Sequence, residues 1–245
     1  MERRIQFLNN SILKNIKSSK SIKSVILPVG TIEAHGIIPL GTDIIIPEKI
    51  SIDIAEFLNC FIAPSLNYGI TKSLLPYSGS NTLSKSTFQN IIFDIATSLK
   101  KDGFKNLIII NGHGGNNSAL KEVAQKIFNN LKIYTIIVHW WIYCSDITDN
   151  IYNQKGGHGG IDETAMIHAI DEKLVNWELI DNDQVKGMVY KNGIDIIPFP
   201  APIIYYKNKE GIPINDIVKA KKFYGKVIDK IRNEVKLLLD KFENI

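Results

Sequence analysis

The chain has little of what usually staples or neutralises a protein. Its 245 residues include two cysteines, Cys60 and Cys144, far apart and without CxxC spacing. That excludes a disulfide scaffold and a cysteine-based zinc site as organising features, and it agrees with a reducing cytoplasm. Arginine is confined to Arg3, Arg4 and Arg232 near the chain ends, so the planar forks that usually grip phosphate are missing from the middle of the sequence. The formal charge is a mild +4, which does not demand nucleic acid as a partner. Apolar runs such as Leu107–Ile110 and Ile136–Val138 are far shorter than the roughly 18–20 residues of a membrane span. Met1–Asn10 lacks the apolar stretch of a signal peptide. Histidine is also scarce at five residues. Yet His35, His113 and His158 each adjoin glycine, and the last two occupy the same tetrapeptide, Gly-His-Gly-Gly.

Patterning is intact, with 44% hydrophobic residues. The length suits one sizeable core, hence a single domain over residues 1–245. Short β-branched runs alternate with helical periodicities. Strands are expected at Ser24–Val29, Phe61–Ala63, Asn106–Ile110 and Tyr134–Val138. A helix is expected to open at Pro47, where a first turn tolerates proline's missing N–H. Others should follow Ser84 as N-cap, then span Asn117–Leu131, Asp162–Ile170 and Ile217–Phe242. This alternation predicts an α/β fold, a three-layer α/β/α sandwich on a mainly parallel sheet. Residues 172–215, rich in proline, read as an insertion or edge segment.

Three polar clusters fall where strands end, the usual place for ligands in open α/β sheets. In Gly30-Thr31-Ile32-Glu33-Ala34-His35-Gly36, the side chains of Glu33 and His35 project to one side if the backbone is extended, and Asp43 returns soon after. Carboxylate, imidazole and carboxylate suit Zn²⁺, Mn²⁺ or Fe²⁺, although a polar loop with a helix cap has the same composition. Asn111-Gly112-His113-Gly114-Gly115-Asn116 is a turn that can cradle phosphate or present His113 to a metal. It matches neither phosphate-loop spacing. In Gly156-Gly157-His158-Gly159-Gly160, followed by Glu163, the glutamate can be a helix-dipole partner, whereas a core histidine has no need of four glycines. His139 and His168 read as scaffold, with Trp140 and Trp141 able to wall a pocket. The small polar residues between Asn67 and Asn81 can line one.

These segments resemble the creatininase family of metal-dependent amidohydrolases. The family's Gly-x-x-Glu-x-His-Gly stretch leading to Pro-Leu-Gly-Thr-Asp is matched at Gly30–Gly36 and Pro39–Asp43. Its Asn-Gly-His-Gly-Gly-Asn is Asn111–Asn116, and its Gly-His-x-Gly leading to Glu-Thr is Gly157–Gly160 with Glu163-Thr164. The resemblance implies two divalent ions (Zn, Mn or Fe) and hydrolysis of a non-peptide C–N bond in a small amide, a cyclic amide or a formamide. It further implies one ion on Glu33, Asp43 and His113 and a second on His35 and Asp43. Family members often form hexamers, so a homo-oligomer is expected. Creatininase places a glutamate ligand two residues after the second-motif histidine, where this chain has Gly115, and Ile37-Ile38 fill a gap that commonly holds a histidine. Both departures argue against creatinine as substrate. Glu163 is the candidate replacement ligand, and His158 the candidate proton donor to the leaving nitrogen. The competing readings are a metal-dependent hydrolase of another class (sugar-phosphate or peptide-trimming) and a non-catalytic binding protein on the same fold.

Overall fold

A computed structural model describes residues 1–19, 22–180 and 211–243. Its centre is a parallel sheet of β1 (Ser24–Val29), β2 (Cys60–Ile62), β3 (Asn106–Asn111) and β4 (Tyr134–His139) in the order β2-β1-β3-β4. β1 is buried throughout its length, as is β3, which is why both read as unbroken apolar runs rather than alternating ones.

Successive side chains of these strands divide between two cores. Ile26, Ile108, Ile110, Ile136 and Val138 face α2 (Thr42–Ala55), α7 (Ile161–Ile170) and α8 (Ile217–Glu243). Val25, Leu27, Leu107 and Ile109 face α3 (Lys85–Lys101) and α4 (Asn117–Leu131). The three-layer arrangement is therefore as expected. α3 starts where Ser84 accepts the Thr87 N–H, and it ends before Gly103 at φ +90°. α8 buries Ala220, Val227, Ile231 and Val235 on one stripe.

The elements differ from expectation in two places. α2 begins at Thr42, so Pro47 lies inside it rather than in its first turn. The residue that would receive an N–H from position 47 is Asp43, four earlier. Its carbonyl is pressed instead against Gly30 and Gly112, so the missing donor costs little there. Short helices α1 (Asn10–Ser19), α5 (Trp140–Tyr143) and α6 (Ser145–Tyr152) have no counterpart in the periodicity. Of the irregular segment 172–215, residues 181–210 lie outside the described ones. No described helix is long and apolar enough to cross a membrane.

β2 lies on one side of β1 and β3 on the other, so the connections leaving the carboxyl ends of β1 and β3 diverge. A crevice opens at that switch point, and the three polar clusters lie there.

Candidate metal centre

Glycine sets the approach of α2 to the strand ends. A Cβ on Gly30 would lie 2.2 Å from the Asp43 carbonyl oxygen, and one on Gly112 would lie 2.1 Å from it. Only bare backbone at both positions lets the first turn of α2 sit between β1 and β3. That turn carries Asp43 into the crevice. Glu33 and His35 enter from the loop after β1, His113 from the turn after β3, and His158 and Glu163 from the glycine-rich entry to α7. All five expected ligands and His158 thus converge, from segments more than a hundred residues apart.

Asp43 stands at the centre. Its Oδ1 is 3.0 Å from His35 Nε2, and its Oδ2 is 2.9 Å from His113 Nδ1. Two triads share it: Glu33, Asp43 and His113, and His35, Asp43 and Glu163, the ligand atoms of each lying within 4.8 Å of one another. His113 Nδ1 is 3.2 Å from Glu33 Oε1, and His35 Nε2 is 3.8 Å from Glu163 Oε2. Glu33, His35 and His158 form a third such group, with His158 Nδ1 3.5 Å from Glu33 Oε1. The His158 ring rests 4.3 Å from that of His35.

Each of these histidines is oriented by main chain. His35 Nδ1 meets the Glu33 carbonyl at 2.9 Å, His113 Nε2 meets that of Ile70 at 3.0 Å, and His158 Nε2 meets that of Ala34 at 2.6 Å. A carbonyl only accepts, so those nitrogens carry the hydrogens. The other nitrogen of each neutral ring then turns a lone pair toward carboxylate oxygens. Lone pair against carboxylate is repulsive unless a proton or a cation lies between them. Pinning one imidazole nitrogen so that the other faces a cation is how metal-binding histidines are commonly held.

The protonation pattern shows the same demand for positive charge. Burial pulls the His35 pKa down, but Asp43, Glu163 and Glu33 outweigh it and raise the value to about 9. His113 follows the same balance, lifted by Asp43 and Glu33 to about 10. Burial raises the Asp43 pKa, yet the two imidazolium neighbours hold it well below the carboxylate range. Burial pushes Glu163 well above its usual value, with repulsion from Asp43 and Asp162 adding to the effect. Asp43 Oδ2 is buried 2.9 Å from His113 Nδ1 with no hydrogen bond assigned to it. An orphaned carboxylate oxygen between imidazole and carboxylate fits a divalent cation.

Other groups brace the centre. The Thr71 hydroxyl donates to Glu33 Oε2 at 2.8 Å, and the Gly159 N–H donates to Glu163 Oε2 at 2.6 Å. The Asn116 carboxamide accepts the Ile70 N–H and donates to the Gly30 carbonyl. Gly115 explains the missing glutamate: a Cβ there would lie 2.1 Å from the Ile70 carbonyl oxygen and 2.5 Å from His113 Nε2. A side chain at that position would collide with the carbonyl that orients His113, and Glu163 approaches the centre from α7, its Oε2 3.8 Å from His35 Nε2. His139 accepts from the Asn111 carboxamide, and His168 is buried in α7 against Trp177, both away from the cluster.

A cleft of about 310 Å³ opens over the centre, lined among others by Ile70, Lys72, Ser73, Trp141, His158 and Asp162. Thr71, Lys72 and Asp162 were not anticipated. Thr71 and Lys72 fall within the segment expected to line a pocket, but no local pattern distinguishes them from its other small polar residues. Asp162 adjoins Glu163 and receives the Gly157 N–H, and burial raises its pKa to about 6.

Fold and cluster together define an α/β protein with a candidate metal centre at the strand switch point. The creatininase family model, described as creatinine amidohydrolase, matches residues 12–212. The chain belongs to that family. It is 24% identical to creatinine amidohydrolase of Pseudomonas putida over 64% of this chain and 67% of that one. It is also 24% identical to 3-dehydro-scyllo-inosose hydrolase of Thermotoga maritima, over 98% of this chain and 82% of that one. The crystal structure of a creatininase superposes with a TM-score of 0.81 at 19% identity, covering 96% of each chain, and so shares the fold. Similar solved creatininases include a manganese form and a Zn–Zn form.

Proposed function

We propose that this chain hydrolyses a C–N bond in a small cyclic amide or formamide, at two divalent ions held by Glu33, Asp43 and His113 and by His35, Asp43 and Glu163. The observation that carries this reading is Asp43, whose two oxygens face two different triads as a bridging carboxylate would. Zn, Mn or Fe suits this mixture of imidazole and carboxylate. Bound divalent ions supply Lewis acidity, lowering the pKa of water and polarising a carbonyl oxygen.

The chain's own residues do the rest. Glu33 is held by Thr71 and Glu163 by the Gly159 N–H, so both carboxylates are oriented before any ligand arrives. His158 is the proton carrier. Its Nε2–H is committed to Ala34, which leaves Nδ1 to take a proton from the attacking water and pass it to the departing nitrogen. Burial is the main cause that lowers the His158 pKa in the metal-free chain, and it acts equally when ions are bound, so the ring starts neutral and able to accept. Trp141 and Ile70 give the cleft an apolar wall against which a planar amide can lie.

Metal analysis followed by a substrate panel tests the reading. Purified protein should carry two divalent ions per chain and open cyclic amides, lactams or formamides. Asp43→Asn should lose most of both ions and at least about 100-fold in turnover. The panel includes 3-dehydro-scyllo-inosose, phosphate monoesters and short peptides. Preference for one of these moves the assignment to another hydrolase class, and a metal-free chain inert to all of them favours a binding protein.

A further inference from the structure

The sequence motifs contain no lysine, but the fold brings one to them. Lys72 lines the cleft together with Glu33, Asp43, His113, His158 and Glu163. It stands between two fixed points: Thr71, whose hydroxyl is spent on Glu33, and Leu74, which is 4% exposed. The preceding Ile70 is tied through its N–H to Asn116. The backbone bearing Lys72 is therefore held against the centre at both ends, while the side chain is exposed and forms no ion pair among the described residues. Most exposed lysines need no explanation. Among the described residues, this one is the sole permanent cation on the cleft wall.

We propose that Lys72 is a specificity residue that selects amides bearing a carboxylate a few bonds from the scissile carbonyl. The inference rests on the metal-hydrolase reading given above. The balance of charge argues for an anion. Two divalent ions would balance the carboxylates of Glu33, Asp43, Asp162 and Glu163 that line the cleft, and Lys72 at the rim then leaves a net positive charge that attracts an anion. A carboxylate is favoured over a phosphate because phosphate recognition gathers several donors, usually with arginine, and no arginine lines the cleft.

The test uses the zinc-loaded chain and two hydroxamates, which bind an accessible metal whatever the natural substrate is. Succinic monohydroxamate ends in a carboxylate and butyrohydroxamate in a methyl group. Calorimetry at low salt should show the wild type binding the carboxylate probe about three- to fivefold more tightly, the scale of a solvent-exposed ion pair. The preference should shrink as salt rises. Lys72→Met should abolish it while butyrohydroxamate affinity holds within about twofold, and Lys72→Arg should retain it. Equal affinity of the wild type for the two probes overturns the inference and leaves the metal centre standing, as does an equal loss for both in Lys72→Met. A chain that takes up no zinc, or binds neither probe when loaded, overturns the metal-hydrolase reading and this inference with it.

Discussion

At the scale of single residues, the centre is a balance between buried carboxylates and whatever cations neutralise them. Without metal, His35 and His113 supply that charge. Their folded pKa values, about 9 and about 10, lie above the ordinary 6.5. The stability they contribute is fully present below about pH 6.5 and lost as pH rises through 9 to 10. Asp43, held low, contributes above its ordinary 3.8 and loses that contribution on acidification. Metal-free protein should therefore be most stable between about pH 4 and 6.5 with respect to these groups, and its melting temperature should fall from pH 6.5 to 10. A melting temperature flat over that interval would contradict the pairing. His158→Ala should keep both metals, measured by elemental analysis, while turnover falls about 10²- to 10⁴-fold, the usual contribution of a positioned acid–base group. Glu33, His35, Asp43, His113, His158 and Glu163 were legible because each sits in a short motif whose glycines or spacing require explanation. Thr71, Lys72 and the Ile70 carbonyl were not. They meet the centre across dozens of residues, and no local pattern records a hydroxyl reaching Glu33 or a carbonyl reaching His113.

At the scale of elements, α2 is the part whose placement decides the site. The sequence places its start at Pro47, because proline reads as a first-turn residue. The structure starts it five residues earlier and so puts Asp43 in its first turn. The misreading has a physical origin: proline inside a helix is tolerated where the carbonyl it cannot serve is occupied otherwise, and that is a tertiary fact. The strands, α3, α4 and α7 were legible to within about one residue, because continuous apolar runs and, for α3, the Ser84 and Gly103 boundaries are local signals. α1, α5 and α6 are short and polar or mixed, so periodicity passes over them. Gly112→Ala tests the close approach. Its Cβ would sit 2.1 Å from the Asp43 carbonyl oxygen and 2.7 Å from Pro47 Cγ. Neither atom belongs to a flexible side-chain end, so α2 must move. The expected loss is about 1–3 kcal/mol, or about 2–4 °C of melting temperature per kcal/mol at this chain length. Weaker metal binding should accompany it.

At the scale of the whole molecule, metal and fold are linked. The proposed ligands come from four segments spread between residues 33 and 163, and an unfolded chain presents no such set. Ions that bind only the folded state stabilise it in proportion to the logarithm of their excess, about 4 kcal/mol at a thousandfold excess over Kd. Thermal melts should therefore rise on adding zinc or manganese and fall on adding a chelator. The rise should be larger at pH 8 than at pH 6, because the ions displace protons from His35 and His113 less expensively there. An unchanged melting temperature with stoichiometric metal would place the ions elsewhere.

The three imidazoles take their orientation from the carbonyls of Glu33, Ala34 and Ile70. A carbonyl belongs to every amino acid, so no point mutation deletes it. Much of the instruction for aiming these rings is thus written in a part of the chain that genetic drift cannot edit directly. Drift reaches it only by moving the loop. A lineage can replace most of its side chains and still inherit the same aim. The cleft wall at Lys72 has no such protection, and there new substrates can be acquired one substitution at a time.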